Sequence, residues 1–252
     1  MKKRLFNFIV KKLLATKQVD EHNIPANEQN RVRWVVQKLQ DLQSGLRILD
    51  AGAGEQRYRS DCSHLAYVSQ DFAEYDGKGN DHGLQMGDWD YGKLDIVSDI
   101  SMIPEPDDSF DVILCSEVFE HIPNPVLALR EFSRLLKKDG QLILTAPFCS
   151  ITHFAPYHFS TGFSKYYYEK HLSDFGFEIK EMEFNGNYFD YLIQELDRLP
   201  AMAQQYSDDF LDTKEFASRE VMKAALSRYS AKDTSSQEML CFGIHVMAIK
   251  AS

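Results

Sequence analysis

Cysteine is scarce in this chain: Cys62, Cys115, Cys149 and Cys241 are scattered, and none forms a C-x-x-C pair. That spacing argues against a disulfide framework and against a cysteine-bound zinc, so reduced thiols are expected. No apolar run approaches the roughly 18 to 20 residues that a bilayer-spanning helix needs. A secretory signal is not expected, because Lys11 and Lys12 interrupt the apolar stretch that begins at Leu5. Positive charge is sparse beyond the start of the chain. Residues 1–17 carry six basic residues and no acid, whereas the remainder has 22 basic against 38 acidic residues, a net −16. An acidic body of this kind argues against a broad nucleic-acid interface. Reduced thiols make a cytoplasmic protein the expectation.

The 252 residues suit one α/β domain with an embellishment. Its expected limits are 26–252, preceded by a basic segment over 1–25. Within that segment Leu5, Phe6, Phe8, Ile9, Val10, Leu13 and Leu14 lie around and between the positive clusters. They suit either a peripheral contact of residues 1–17 with an anionic membrane or a helix packed on the domain. No feature of the sequence specifies an oligomeric state.

The most informative stretch is Ile48-Leu49-Asp50-Ala51-Gly52-Ala53-Gly54, an apolar strand that breaks into a glycine turn. The next strand, about 66–70, is followed by Asp71, 21 residues after Asp50. In a βαβ unit the glycines let backbone approach a ligand, and a distant carboxylate accepts ribose hydroxyls, so a nucleoside cofactor is expected. A dinucleotide fingerprint would require a third glycine at position 57, where Arg57 stands, which disfavours a pyrophosphate.

The remaining pattern alternates helices and strands. Asn27 is the expected cap of a first helix stopped by Gly45. Strand one covers about 47–50, a short helix about 55–63, and the glycine-rich text 71–90 reads as an irregular excursion. Strand three is 95–98 and strand four 110–115, an apolar run typical of a central parallel strand. The helix begun by Asn124-Pro125 is expected to carry Lys137 and Lys138 at its end and to stop at Gly140, with strand five at 141–146. A helix near 165–175, a sixth strand from 176 and a seventh at 239–249 complete a doubly wound, seven-stranded, mostly parallel sheet. Between the last two strands, about 187–236 reads as a helical insertion able to roof a substrate pocket.

Taken in register, Asp50-x-Gly52-x-Gly54, Asp99-Ile100, Phe110-Asp111-Val112-Ile113, Glu117-Val118-Phe119-Glu120-His121-Ile122, Pro125, Arg134-Leu135-Leu136-Lys137 and Thr145-Ala146-Pro147-Phe148 resemble the class I S-adenosylmethionine (SAM) methyltransferases. The stretch 110–147 is most similar to the small-molecule, type 11 group, whose fold is Rossmann-like. His153 with Pro156-Tyr157-His158-Phe159 resembles uncharacterised members found with polysaccharide-building enzymes. The resemblance implies SAM as cofactor, with Asp50, Ala51, Gly52, Ala53 and Gly54 along its amino-acid end and Asp71 on its ribose. It also implies Phe72 against the adenine, Asp99 and Ile100 at the adenine edge, and Ser116, Glu117 and Val118 just past strand four, where ligands gather outside the carboxyl ends of strands. Gln56 departs from the family pattern, which commonly has a small residue there.

Methyl transfer from a sulfonium is an in-line displacement that depends chiefly on placement of the reactants. If the nucleophile is a hydroxyl, a neutral histidine can take its proton, which makes His121, His153 and His158 the candidate catalytic residues. No metal is expected, since the spacing of Glu117, His153 and His158 matches no helix-borne ligand pair. The implied activity is methylation of a small molecule or glycan precursor, most simply at oxygen. Two alternatives are a SAM-binding regulatory protein without turnover and a nicotinamide-dependent oxidoreductase, the latter opposed by Arg57. A nucleic-acid methyltransferase is opposed by the acidic body and by Ser116-Glu117-Val118-Phe119 where an N-P-P-Y or D-P-P-Y tetrapeptide would stand.

Overall fold

The computed structural model describes residues 26–251, so the basic segment 1–25 lies outside the described residues. Seven strands form one sheet: β1 (Arg47–Ala51), β2 (Ala66–Asp71), β3 (Ile96–Val97), β4 (Phe110–Ser116), β5 (Leu136–Pro147), β6 (Phe177–Asn185) and β7 (Gly243–Lys250). Their order is β3-β2-β1-β4-β5-β7-β6. β1 pairs in parallel with β2 and β4, and β4 with β5, whereas β7 runs antiparallel to both β5 and β6. The strand order therefore reverses between β1 and β4. In an open α/β sheet that reversal leaves a crevice beyond the carboxyl ends of the two strands, where ligands bind.

The apolar content of β4 follows from its central position. Val112, Ile113, Leu114 and Cys115 are fully buried, with Ile113 and Cys115 in one core cluster and Val112 and Leu114 in the other. The first cluster is covered by α2 (Pro125–Leu135) through Ala128, Leu129, Phe132 and Leu135; the second by α1 (Ala26–Gln40) through Trp34, Val35 and Leu39. Helix α3 (Lys165–Asp174) adds Tyr168 and Leu172 to the first. After β6 the chain builds α4 (Tyr188–Ser207) and α5 (Thr213–Ser230), each opened by a reciprocal capping box, Asn187 with Asp190 and Asp212 with Glu215. No described helix is long and apolar enough to cross a membrane.

Four local expectations are corrected. Asn27 lies inside the first turn of α1 instead of capping it, and its side-chain oxygen accepts from Asn185 Nδ2 at 2.9 Å. The segment after the glycine turn forms successive turns and no helix, because Gln56 sits at φ 56°, outside right-handed helical space. The helix expected to run to Gly140 stops at Leu135. Leu136 already pairs with Phe110 in the sheet, and Lys137 donates to Asp111 at 2.7 Å. The seventh strand starts at Gly243 rather than near 239.

Candidate active site

The glycine turn is fixed from the neighbouring strand. Gly52 and Ala53 donate their N–H groups to the carbonyl of Gln70 at 2.9 and 2.8 Å, and Gly54 N–H donates to Asp71 Oδ2 at 2.8 Å. Asp71 Oδ1 accepts from Ala73 N–H at 3.0 Å, so one carboxylate ties the end of β2 to the turn after β1. Burial pushes the Asp71 carboxyl upward while those N–H donors pull it back. Gln56, the departure from the family pattern, spends its amide on the carbonyls of Tyr91 and Lys93, at 2.6 and 3.0 Å, and so pins the irregular excursion to the turn.

Asp50 is buried, and its Oδ2 accepts from Tyr67 O–H at 2.6 Å. Burial, helped by the charge of Asp71, pushes its carboxyl from 3.8 to about 7 against the opposing Tyr67 hydrogen bond. The folded chain therefore holds a proton that the unfolded chain releases. This group's contribution to stability is complete below pH 3.8 and is lost as pH rises towards 7. In paired thermal melts, Asp50→Asn should gain stability relative to the unaltered chain as pH rises across that window; a pH-independent difference would contradict a protonated Asp50.

Opposite the turn, the chain leaves β4 through Glu117, held at φ 57°. Glu117 N–H donates to the Thr145 carbonyl at 2.9 Å, its Oε1 accepts from Thr145 Oγ1 at 3.0 Å, and its Oε2 pairs with Arg31 at 3.0 Å. Ser116 Oγ lies 2.9 Å from Thr145 Oγ1. The short turn Phe119–His121 follows, anchored by Phe119 against Phe132 and Phe163 in the core. It carries His121, whose Nδ1 lies 2.6 Å from the Tyr157 carbonyl.

His153 arrives from the loop after β5, its Nδ1 2.9 Å from the Ile151 carbonyl. That loop is stitched to the excursion between β2 and β3: Leu84 N–H donates to Thr152 O at 3.0 Å, and Phe154 N–H to Leu84 O at 2.9 Å. Phe154 then stacks on Tyr75 with ring centroids 4.4 Å apart. The His121 and His153 rings meet edge to face at 4.6 Å. Burial depresses both imidazoles, His121 to about 3, so both are neutral at physiological pH.

These elements enclose a cavity of about 1080 Å³. Asp50, Gly52, Ala53, Gly54, Asp71, Phe72, Asp99, Ile100, Ser116, Glu117, Val118, His121 and His153 all line it. Ala51 is fully buried in β1 and faces the core cluster, and His158 stands outside the lining, its Nε2 3.2 Å from Ser150 Oγ and its ring 4.9 Å from that of His153. Asp99 is exposed and holds Ser101 through N–H and hydroxyl bonds of 2.7 Å. Arg57 pairs with Glu28, and Arg59 lies over the Tyr67 ring. The sequence reading assigned no site role to Glu120, Arg31 or, from α4, Tyr191 and Arg198, all cavity-lining; for Glu120 the signals were its place in the Glu117–Ile122 segment and its adjacency to His121.

Residues 49–144 match the family model described as a methyltransferase domain. Over 106 residues the chain is 33% identical to a ubiquinone biosynthesis O-methyltransferase of Xanthomonas oryzae pv. oryzae, a stretch covering 40% of this chain and 43% of that protein. The chain thus spans less than half the length of this curated relative. The crystal structure of the YcgJ protein from Bacillus subtilis superposes with a TM-score of 0.52 at 15% identity, over 89% of this chain and 99% of that one. A phosphoethanolamine N-methyltransferase 2 from Haemonchus contortus, in complex with S-adenosyl-L-methionine, superposes at 0.50 with 16% identity, over 96% and 60%. At such identities the two structures speak for the fold, while the family match speaks for the turn and β4. Residues 49–144 therefore carry a class I SAM-dependent methyltransferase domain of the type 11-like group, with SAM as its cofactor.

Proposed function

We propose that the chain transfers the methyl group of SAM to a hydroxyl of a small-molecule or glycan-precursor acceptor. The observation that carries this reading is the single cavity joining the Asp50–Gly54 turn to the neutral pair His121 and His153. In this reading Asp50, Gly52, Ala53 and Gly54 face the amino-acid end of SAM, Asp71 takes the ribose hydroxyls, Phe72, Asp99 and Ile100 border the adenine, and Ser116 to Val118 flank the methyl group. The acceptor oxygen sits within reach of the imidazoles. Its lone pair forms the bond to the methyl carbon as the sulfur–carbon bond breaks, giving S-adenosylhomocysteine, and its proton is drawn off on the imidazole side. A hydroxyl acceptor also agrees with the O-methyltransferase named among the relatives.

The cavity's size leaves room for an acceptor beside the cofactor, with aromatic faces from Phe154, Tyr157 and Tyr191 and the guanidinium of Arg198 on its border. Such a wall suits a ring or sugar bearing an anionic group. A catalytically silent SAM-binding protein has no need of two uncharged imidazoles beside the cofactor turn. The test combines a thermal shift with labelled methyl transfer into extracted metabolites and glycan precursors. S-adenosylhomocysteine should raise the melting temperature and NAD(H) should not, and Asp71→Ala should weaken S-adenosylhomocysteine binding by about 1 to 3 kcal/mol. A shift without any labelled product across the acceptor panel would favour the regulatory alternative; a shift with NAD(H) alone would favour the oxidoreductase.

A further inference from the structure

Methyl transfer as described leaves one buried group without a task. Glu120 is the middle residue of the turn Phe119–His121, is 1% exposed, and has no hydrogen-bond partner at Oε2. A carboxyl group withdrawn from water with an oxygen left unpartnered is costly to keep, so its retention calls for something that repays it. Two nitrogens face it. His121 Nε2 lies 3.7 Å and His153 Nε2 3.9 Å from Glu120 Oε1. Both separations are too long for hydrogen bonds.

The orientation of the imidazoles identifies what is facing the carboxylate. A carbonyl oxygen only accepts, so the Nδ1 of His121 against Tyr157 O and the Nδ1 of His153 against Ile151 O each carry the proton. Each neutral ring then presents a bare lone pair at Nε2. Metal-binding histidines are held this way, by a backbone acceptor on the far nitrogen. One ligand atom from each of Glu120, His121 and His153 lies within 4.8 Å of the other two.

We propose that Glu120, His121 and His153 hold a divalent first-row transition-metal ion of the zinc class, with its remaining coordination position open to the cavity. Two imidazoles and one carboxylate form a borderline donor set that suits such an ion better than magnesium or calcium. With metal–ligand bonds of ~2.0 to 2.2 Å, tetrahedral ligand atoms stand about 3.4 Å apart, so the 3.7 and 3.9 Å separations need to close by a few tenths of an ångström. Glu117 is excluded from the set by its bonds to Arg31 and Thr145, and His158 by its contact with Ser150. The ligands combine adjacent residues of one turn with a third residue 32 positions further on, which is why sequence spacing gave no metal expectation.

The ion's task rests on the methyl-transfer reading, although its binding does not. With the ion bound the imidazoles act as ligands and no longer take the proton: an acceptor hydroxyl in the open position would lose its proton to water more readily, and its oxygen would attack the methyl carbon as the sulfur–carbon bond breaks, with no change of oxidation state. Isothermal titration of zinc chloride into the chelator-stripped, dialysed full chain should show one tight equivalent, weakened about 100-fold or more by His153→Ala and by Glu120→Gln. Retention of the S-adenosylhomocysteine melting shift shows that each variant is folded. Cobalt chloride added to the unaltered chain should develop visible ligand-field bands that saturate at one equivalent. Zinc binding unchanged in both folded variants, or cobalt without such bands, overturns the site. A chain that takes S-adenosylhomocysteine but no ion loses this inference alone, and one that takes the ion but no S-adenosylhomocysteine loses only the cofactor assignment.

Discussion

His153→Ala should lower turnover on an identified acceptor by roughly 10² to 10⁴-fold while leaving SAM affinity within about threefold, the range set by loss of a group that manages a proton. The separation follows from the architecture. His153 lines the same cavity as the glycine turn but stands on the loop after β5, and no hydrogen bond joins its imidazole to that turn among the described residues. The loop's attachment to the excursion between β2 and β3 is made by backbone groups: Leu84 N–H on Thr152 O and Phe154 N–H on Leu84 O. Neither bond uses the imidazole, so alanine should leave the loop in place. The measurement is kcat with acceptor saturating, set against the S-adenosylhomocysteine dissociation constant. A parallel loss in both would point to collapse of the loop, and full activity would remove His153 from the chemistry.

The strands were legible in the sequence because central parallel strands are buried on both faces and read as continuous apolar runs, as in Val112-Ile113-Leu114-Cys115. The glycine turn was legible because only residues that tolerate positive φ fit it, and Gly52 and Gly54 stand at 76° and 51°. Element ends were harder to read. Lys137, Lys138 and Gly140 carry the signature of a helix terminus, yet tertiary pairing of Leu136 with Phe110 starts the strand first. Asn27 has a capping residue's chemistry but is recruited by Asn185, 158 residues away. The meeting of His121 with His153 depends on bonds that tie the irregular segment 148–164 to the turn after β4, where Phe159 N–H donates to the Glu120 carbonyl at 2.8 Å and His121 Nδ1 lies against the Tyr157 carbonyl, so no pattern in the sequence predicts it.

The same irregular segments explain why the cofactor half of the site was read in more detail than the acceptor half. Asp50, the glycines and Asp71 belong to or directly follow regular strands whose register fixes them, with Asp50 opposite Ser69 and Ala51 opposite Gln70. The acceptor side is assembled from the turn after β4, the loop after β5, the excursion and α4. In such places side-chain position is decided by which loop covers which, a property of contacts far apart in the chain.

Gly52→Ala should cost about 2 to 5 kcal/mol of stability, combining left-handed strain of ~1 to 2 kcal/mol with overpacking of ~1 to 3 kcal/mol. Gly52 has φ 76°, and a Cβ there would lie 2.5 Å from Val118 Cγ2 and 2.8 Å from Cγ1. Val118 has little room to retreat: it is β-branched, preceded by Glu117 at φ 57° and followed by Phe119, which is fully buried. Relief therefore has to come from the turn itself, which would pull Gly52 and Ala53 off the Gln70 carbonyl and weaken S-adenosylhomocysteine binding as well. Gly87→Ala is the matched control, since Gly87 has φ 91° with nothing within 4 Å of an added Cβ and meets only the backbone cost. Gly52→Ala should melt several degrees below Gly87→Ala, and Val118→Ala combined with it should recover part of the difference through the positive coupling expected of residues in contact. Equal melting of the two single variants would mean that Val118 does not close over the turn, and the amino-acid end of the cofactor site would then be more open than the cavity described here.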